Sequence, residues 1–502
     1  MRKFVFAAFS LLVAATSAAS DRATLRPVPD KERVLRNPLS GWTLYLRRNW
    51  DEDFWTKENY DAMPAGSDGL TVKVSDYAST AYLRTSWSSM EPEEGRYFWL
   101  DKDSRLNRLL QSVEERGMRI ALRIVVDGRD QGQNTPLYVR EAGAEGFVHK
   151  VGKNEVWTPF PDDPVFQQKY EKFLRALAEH FDDPEKMDFI DAYGLGKWGE
   201  AHSMVYKDSA NKIAVFDWIT DLYADSFRNT PLVINYHRVV GVQNVNGWGE
   251  PDPDSQELLE QAIAKGYSLR HDAFGMNGYY QDWEKAFASK WLYSRPIIME
   301  GGWITAAHHR YWIDPCGRYR EGHDEDVRKG EFEASEEARV NMMDLRSGNE
   351  TPSWFRSFNL VQRFVREGGY RLYPDEITLP KKMKMGRGYR IAHRWTNLGW
   401  GYCPNNIPQW HGRYKVAFAL LDGDGRPVCH WVDSASDPSL WLRGKAVSYE
   451  LPVKADVPMG RYFWAVAIVN TDKNDEVGIE LSLPAEGHTQ DGWYRLSKVK
   501  VN

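Results

Sequence analysis

Asp163-Pro164-Val165-Phe166-Gln167-Gln168-Lys169-Tyr170-Glu171-Lys172-Phe173-Leu174-Arg175-Ala176-Leu177-Ala178-Glu179-His180-Phe181 reads as one complete helix. Phe166, Tyr170, Phe173, Leu174, Leu177 and Phe181 fall on a single stripe at helical period. Asp163 stands where a cap is needed, and Pro164 suits the first helical position. A short apolar strand follows, Phe189-Ile190-Asp191-Ala192-Tyr193. Helix and strand together make one unit of an alternating fold.

The same alternation extends in both directions. Strand candidates lie at 42–46, 81–87, 119–127, 189–193, 232–237, 273–279, 296–300 and 340–345. Amphipathic helical runs at 106–116, 213–227 and 256–265 lie between them. Eight strands alternating with helices predict a (β/α)8 TIM barrel, an α/β fold. The rival is an open doubly wound sheet. No Walker loop follows a strand, which weakens its nucleotide-binding versions.

The rhythm changes after Tyr373-Pro374-Asp375. Short strand candidates at 389–395, 414–421, 428–432, 447–451, 462–470, 477–483 and 493–501 are separated by turns such as Asp422-Gly423-Asp424-Gly425. They predict a small all-β sandwich. The expected division is a signal peptide at 1–20, a barrel at 21–372 and a sandwich at 373–502.

Composition bounds the function. The 502 residues correspond to two to four domains at roughly 150 residues each. Hydrophobic residues at 42% and charged residues at 27% exclude a disordered chain. A net charge of −6 offers no basic surface, so no nucleic-acid partner is expected. The 21 Trp suit a protein that stacks on flat apolar faces, including those of sugars.

Met1-Arg2-Lys3, the apolar run 4–15 and Thr16-Ser17-Ala18-Ala19-Ser20 form a secretory leader, cut near Ala19 or Ser20. A secreted or periplasmic location follows, with no membrane insertion. Export permits disulfides, and Cys403 and Cys429 are candidates to pair. No zinc-site motif occurs.

Two segments put a Glu where an apolar strand gives way to small residues. One is Tyr193-Gly194-Leu195-Gly196-Lys197-Trp198-Gly199-Glu200-Ala201-His202, and the other is Ile297-Ile298-Met299-Glu300-Gly301-Gly302-Trp303. In a barrel both lie at the C-terminal mouth, after strands four and seven. Glycoside hydrolysis needs two carboxyls about one acetal, one carrying a proton and one ionised. Glu200 and Glu300 are therefore the candidate catalytic pair.

The stretch Trp87-Ser88-Ser89-Met90-Glu91-Pro92-Glu93-Glu94-Gly95-Arg96-Tyr97-Phe98-Trp99-Leu100-Asp101, after strand two, resembles the corresponding stretch of β-galactosidase-like retaining glycosidases built on (β/α)8 barrels. Arg116-Gly117-Met118-Arg119-Ile120-Ala121-Leu122-Arg123 matches their third strand. The resemblance implies Glu200 as acid/base, Glu300 as nucleophile, a β-linked carbohydrate substrate, and no metal or organic cofactor. One position departs from that clan: Gly199 stands where its members carry the Asn that precedes the acid/base. The chain as a whole is also similar to secreted bacterial barrels with a C-terminal sandwich.

Further substrate-binding candidates surround the pair. Arg84 is placed to bond the nucleophile, and Tyr279, beside Asn277, to bond Glu300. His237 and His202 are candidate sugar contacts. Trp87, Trp198 and Trp303 are candidate stacking platforms. Asp127 and Asp344 are candidate ligands for hydroxyls. Glu91, Glu93 and Glu94 read as a solvated turn. The six Trp of the second domain, Trp395, Trp400, Trp410, Trp431, Trp441 and Trp464, read as structural. Two other readings stand beside the retaining hydrolase: a carbohydrate-binding barrel without chemistry, and an inverting hydrolase with more widely spaced carboxyls. The gaps 128–162 and 306–328 are long enough to wall a pocket, which favours action on chain ends.

Overall fold

The computed structural model describes residues 21–46, 54–129, 131–243, 249–275, 279–302 and 317–502. The leader expected at 1–20 lies outside them. Eight parallel strands close into a barrel: β1 (Gly41–Leu46), β2 (Ala78–Ser86), β3 (Arg119–Val125), β4 (Met187–Asp191), β5 (Leu232–Asn235), β6 (Tyr267–His271), β7 (Ile297–Met299) and β8 (Met342–Arg346). The ring closes with Met342 of β8 opposite Gly41 of β1.

Seven strands overlap their expected positions. The sixth begins six residues earlier than 273–279, at Tyr267–His271, and ends before that span starts. Its apolar run is interrupted by Ser268 and Arg270, which disguised it. Phe274, which lay within the expected strand, instead stacks on Tyr280 past the strand end, ring centroids 4.4 Å apart.

Side chains alternate sides along a strand. Leu44, Leu83, Leu122, Ile190, Ile234, Leu269, Met299 and Met343 face outward and pack with the helices in one apolar core. Tyr45, Tyr82, Ala121, Phe189, Val233, Ile298 and Met342 fill the lumen and belong to a second core, continuous with the sandwich. Two residues further along each strand the lumen changes character, to Arg84, Arg123, Asp191, Asn235, Glu300 and Asp344. On β6, Arg270 takes the same level.

The helix at Pro164–Phe181 forms as its sequence dictates. The Asp163 carboxylate accepts from the Phe166 N–H at 2.9 Å, and the six-residue stripe is buried.

The second region contains β9 (Leu372–Pro380), β10 (Gly388–Asn397), β11 (Tyr414–Leu421), β12 (Pro427–Asp433), β13 (Val447–Lys454), β14 (Gly460–Asn470) and β15 (Tyr494–Val501). One sheet orders Arg22–Leu25, β9, β10, β13; the other orders Lys382–Met383, β15, β14, β11, β12. The segment Arg22–Leu25, expected with the barrel, thus pairs antiparallel with β9 and belongs to the sandwich. Trp395, Trp400, Trp410, Trp441 and Trp464 are buried, and Trp395 stacks on Trp441 with centroids 4.7 Å apart. The two candidate cysteines are not joined. Cys403 lies in the core, Cys429 lies on β12 opposite Leu420, and both are free. No helix among the described residues is long and apolar enough to cross a membrane.

Candidate active site

Glu300 directly follows β7. Its N–H donates to the His271 carbonyl and its carbonyl accepts from the Ala273 N–H, each at 2.7 Å. The β6–β7 ladder thereby extends one step and aims the fully buried carboxylate into the lumen. Arg270 of β6 pairs with Glu300 Oε2. Arg123 Nη2 of β3 stands 3.4 Å from the same oxygen, and Arg346 Nη2 of β8 stands 3.3 Å from Oε1. Burial opposes the charge, but Arg270, Arg123 and Arg346 outweigh it and hold the carboxyl below the usual range.

Glu200 arrives by a contorted loop after β4. Gly194, Gly196, Trp198, Gly199, Ala201 and Ser203 all have φ between 52° and 76°. That is costly backbone for Trp198, Ala201 and Ser203. Two interactions hold the turn in place: the Ala201 N–H donates to the Leu195 carbonyl at 3.1 Å, and His237 Nε2 donates to the Glu200 carbonyl at 2.8 Å. Gly199 accounts for the departure from the clan pattern. A Cβ there would lie 3.3 Å from Arg123 Cδ, on a backbone at φ 76°. The space an Asn would use belongs to the Arg123 stem.

Arg123 joins the two glutamates. Its Nη1 donates to Glu200 Oε1 at 2.8 Å while Nη2 faces Glu300, and its Nε donates to Asp191 Oδ2 at 2.8 Å. Tyr82 also donates to Asp191 Oδ2, at 2.9 Å. Arg84 Nη1 lies 3.8 Å from Glu200 Oε1, and His202 Nε2 lies 3.5 Å from Oε2. Burial raises the Glu200 pKa, but His202, Arg123 and Arg84 together drive it far below the ordinary carboxylate range. Two further carboxyls border the site. Asp344 Oδ1 accepts from the Gly301 N–H at 2.8 Å, and burial lifts this carboxyl to about 6 against the pull of Arg346. Asp272, one residue past β6, is 3.6 Å from Arg346 Nη1 and is pushed well up by burial and by Glu300 and Glu200.

The structure brings Glu200, Glu300, Arg84, His202 and Asp344 together at the barrel mouth. Arg84 sits nearer Glu200, whereas its expected partner was the nucleophile. Trp198 is half-buried there, its ring edge-on to His202 at 5.6 Å. Other candidates stand elsewhere. Trp87 faces outward and is core, packed on Tyr170 and Phe173 with its Nε1 on Glu91 at 2.8 Å. That contact also buries Glu91, which the sequence placed in a solvated turn. Asp127 is clamped by Arg129 Nε at 2.8 Å, so its carboxylate is already engaged. His237 uses Nε2 on the Glu200 carbonyl, and its Nδ1 accepts from the Val239 N–H at 3.2 Å. It therefore positions Glu200. The Tyr279 carbonyl accepts from Arg238 Nη1 at 3.0 Å, in a loop beyond β6. Asn277 and Trp303 lie outside the described residues. No group of three metal-ligating side chains occurs among the described residues.

Sequence reasoning missed Arg123, Asp191, Asn235, Arg270, Asp272 and Arg346 as site residues. The signal was present as Leu122-Arg123, Ile190-Asp191, Ile234-Asn235 and Leu269-Arg270. Each has a polar residue in lumen-facing phase, at the end of its strand for Asp191 and Asn235 and within two residues of it for Arg123 and Arg270.

No family model and no curated protein matches the chain. Similar solved structures include an exo-β-1,4-mannosidase from Opitutaceae bacterium strain TAV5, at 13% identity and TM-score 0.38. That match covers 68% of this chain and 63% of the mannosidase, so the chain spans less than two thirds of that protein's length. Endo-glycoceramidase II from Rhodococcus sp. is similar at 14% identity and TM-score 0.36, over 86% of this chain and 100% of that one. Endoglucanase Cel5A from Pseudomonas stutzeri is similar at 12% identity and TM-score 0.36, over 68% and 97%. These are distant likenesses of shape, and they bear on neither activity nor substrate.

Proposed function

We propose that this chain is an exported glycoside hydrolase that acts on a β-linked glycan or glycoside with retention of configuration. The observation that supports it best is the single Arg123 guanidinium shared by Glu200 and Glu300, a hundred residues apart in the chain. Two carboxylates at one guanidinium are close enough to act on one sugar ring.

In this reading Glu300 attacks the anomeric carbon. Arg270, Arg123 and Arg346 keep it ionised, as a nucleophile must be. The C–O bond to the leaving group breaks as the Glu300–carbon bond forms, and the leaving oxygen takes a proton from Glu200. Glu200 is held ionised by its partners in the ligand-free site. It must therefore be protonated as the sugar enters, at the Oε2 that stands 3.5 Å from His202 Nε2. Water then attacks the glycosyl–enzyme, Glu200 takes its proton, and Glu300 is released. The strained turn 194–203 keeps Glu200 aimed at the lumen throughout.

The close approach of Arg123 and Arg84 to Glu200 favours a second reading, a barrel that binds carbohydrate without cleaving it. Turnover of an aryl β-glycoside panel by Glu200→Gln and Glu300→Gln separates the two. The hydrolase reading expects both variants to lose more than about 10³-fold. Unchanged turnover in both excludes it. Glycoside binding by the wild type with no hydrolysis on long incubation establishes the second reading.

A further inference from the structure

Asn235 closes β5 in the phase that faces the lumen, two residues beyond Val233 of the apolar layer. It is 3% exposed, yet neither its Oδ1 nor its Nδ2 has a hydrogen-bond partner among the described residues. A buried amide left unpaired is expensive and rare, and calls for an explanation. Its register neighbour on β6 is Arg270, whose head group is committed to Glu300 and Asp191, and whose Nε is likewise unpartnered. The other charged groups of this layer, Arg84, Arg123, Asp191, Glu300 and Asp344, offer only donors or, when ionised, only acceptors. Asn235 offers both and is neutral.

We propose that Asn235 is a ligand-binding residue of the site, which takes a pair of neighbouring hydroxyls on the sugar. Nδ2–H donates to one hydroxyl, and the other donates to Oδ1. Arg270 Nε donates to whichever of the two lies nearer β6. The inference rests on the reading of the barrel mouth as a sugar site and names one determinant of which sugar it accepts. A site built to bond a hydroxyl rejects an analogue that lacks it, because the buried polar group is then left unpaired.

The test uses the near-isosteric Asn235→Leu, with Asn235→Ala as the variant that reads the same if the first does not fold. Thermal unfolding is measured without ligand. Affinity is measured by calorimetry in the Glu300→Gln background, so that hydrolysis does not interfere. The probes are methyl β-glycosides of glucose, galactose and mannose, and their monodeoxy analogues. The expected result has two parts. The variant unfolds at the same or a higher temperature, because an unpaired buried amide has been removed. It also binds the preferred glycoside at least tenfold more weakly, and the monodeoxy analogue lacking the contacted hydroxyl shows no further loss. A lower unfolding temperature with unchanged affinity for every probe overturns the inference and assigns Asn235 a structural role. Hydrolysis that persists with an unchanged KM in the Asn235 variant overturns the inference alone. Asn235-dependent binding in a protein that never hydrolyses a glycoside keeps the inference and removes the hydrolase reading. Failure of the wild type to bind any of these glycosides overturns both.

Discussion

The barrel lumen has two layers made by the same strands, two residues apart. The lower is Tyr45, Tyr82, Ala121, Phe189, Val233, Ile298 and Met342, apolar and continuous with the sandwich core. The upper contains Arg84, Arg123, Asp191, Asn235, Arg270, Glu300 and Asp344. The lower layer gains stability from burial at about 25 cal/mol per Å² of apolar surface. The upper layer buries charges that cost several kcal/mol each and recover it only through good pairing. A fold seeking stability alone would continue the apolar layer to the rim. In the proposed reading, the step between layers marks where the strands cease to serve packing and begin to serve a ligand.

The largest effect that can break this contrast comes from one substitution in each layer. Arg123→Met leaves Asp191, Glu200 and Glu300 short of a partner and is expected to cost about 3–5 kcal/mol. Phe189→Ala is expected to cost about as much, through a cavity. Urea unfolding reads both losses. Only Arg123→Met should also shift the pH profile of turnover, because only it removes a charge from the glutamates. Equal pH profiles in the two variants would erase the distinction between the layers.

A smaller effect comes from Asp344. Burial raises its folded pKa to about 6, above the value of an unfolded Asp near 3.9. The protonated form is thus favoured by folding. That contribution is complete below about pH 4 and is lost as pH rises through 6. Asp344→Asn removes the pH dependence. Its stability relative to the wild type should rise by about 2–3 kcal/mol between pH 4 and 7, then level off. A difference that is flat across this range would mean the upper layer places no strain on Asp344. The smallest effect lies outside both layers. Asp163→Ala deletes the helix cap and should cost about 1 kcal/mol, with turnover per folded molecule unchanged.

Much of the fold was legible because it depends on period and caps. The stripe of Pro164–Phe181 and the Asp163 cap are local signals, and the structure contains them as read. The sixth strand was not legible from its apolar content, since Ser268 and Arg270 carry lumen positions that the apolar rule expects to be Val or Ile. Phase would have served better. Trp87 shares the outward phase of Leu83 and so packs among helices, whereas Arg84 shares the lumen phase of Tyr82. The two glutamates were legible because each follows an apolar strand, Glu300 directly and Glu200 after a Gly-rich turn. Arg123 and Arg270 were not singled out, because an arginine within a strand is read as an ordinary ion pair until the strands are wrapped into a ring. The strand at Arg22–Leu25 was beyond local reading, as its partner β9 lies some 350 residues away.

The central claim is that Glu300 bonds to the sugar that Glu200 serves. The direct measurement is peptide mass spectrometry of Glu200→Gln, acid-quenched during reaction with an aryl β-glycoside whose good leaving group needs no proton. With no base to activate water, the glycosyl–enzyme should accumulate, and the peptide containing Glu300 should gain the mass of one glycosyl unit. Product release with no adduct on that peptide would contradict the claim.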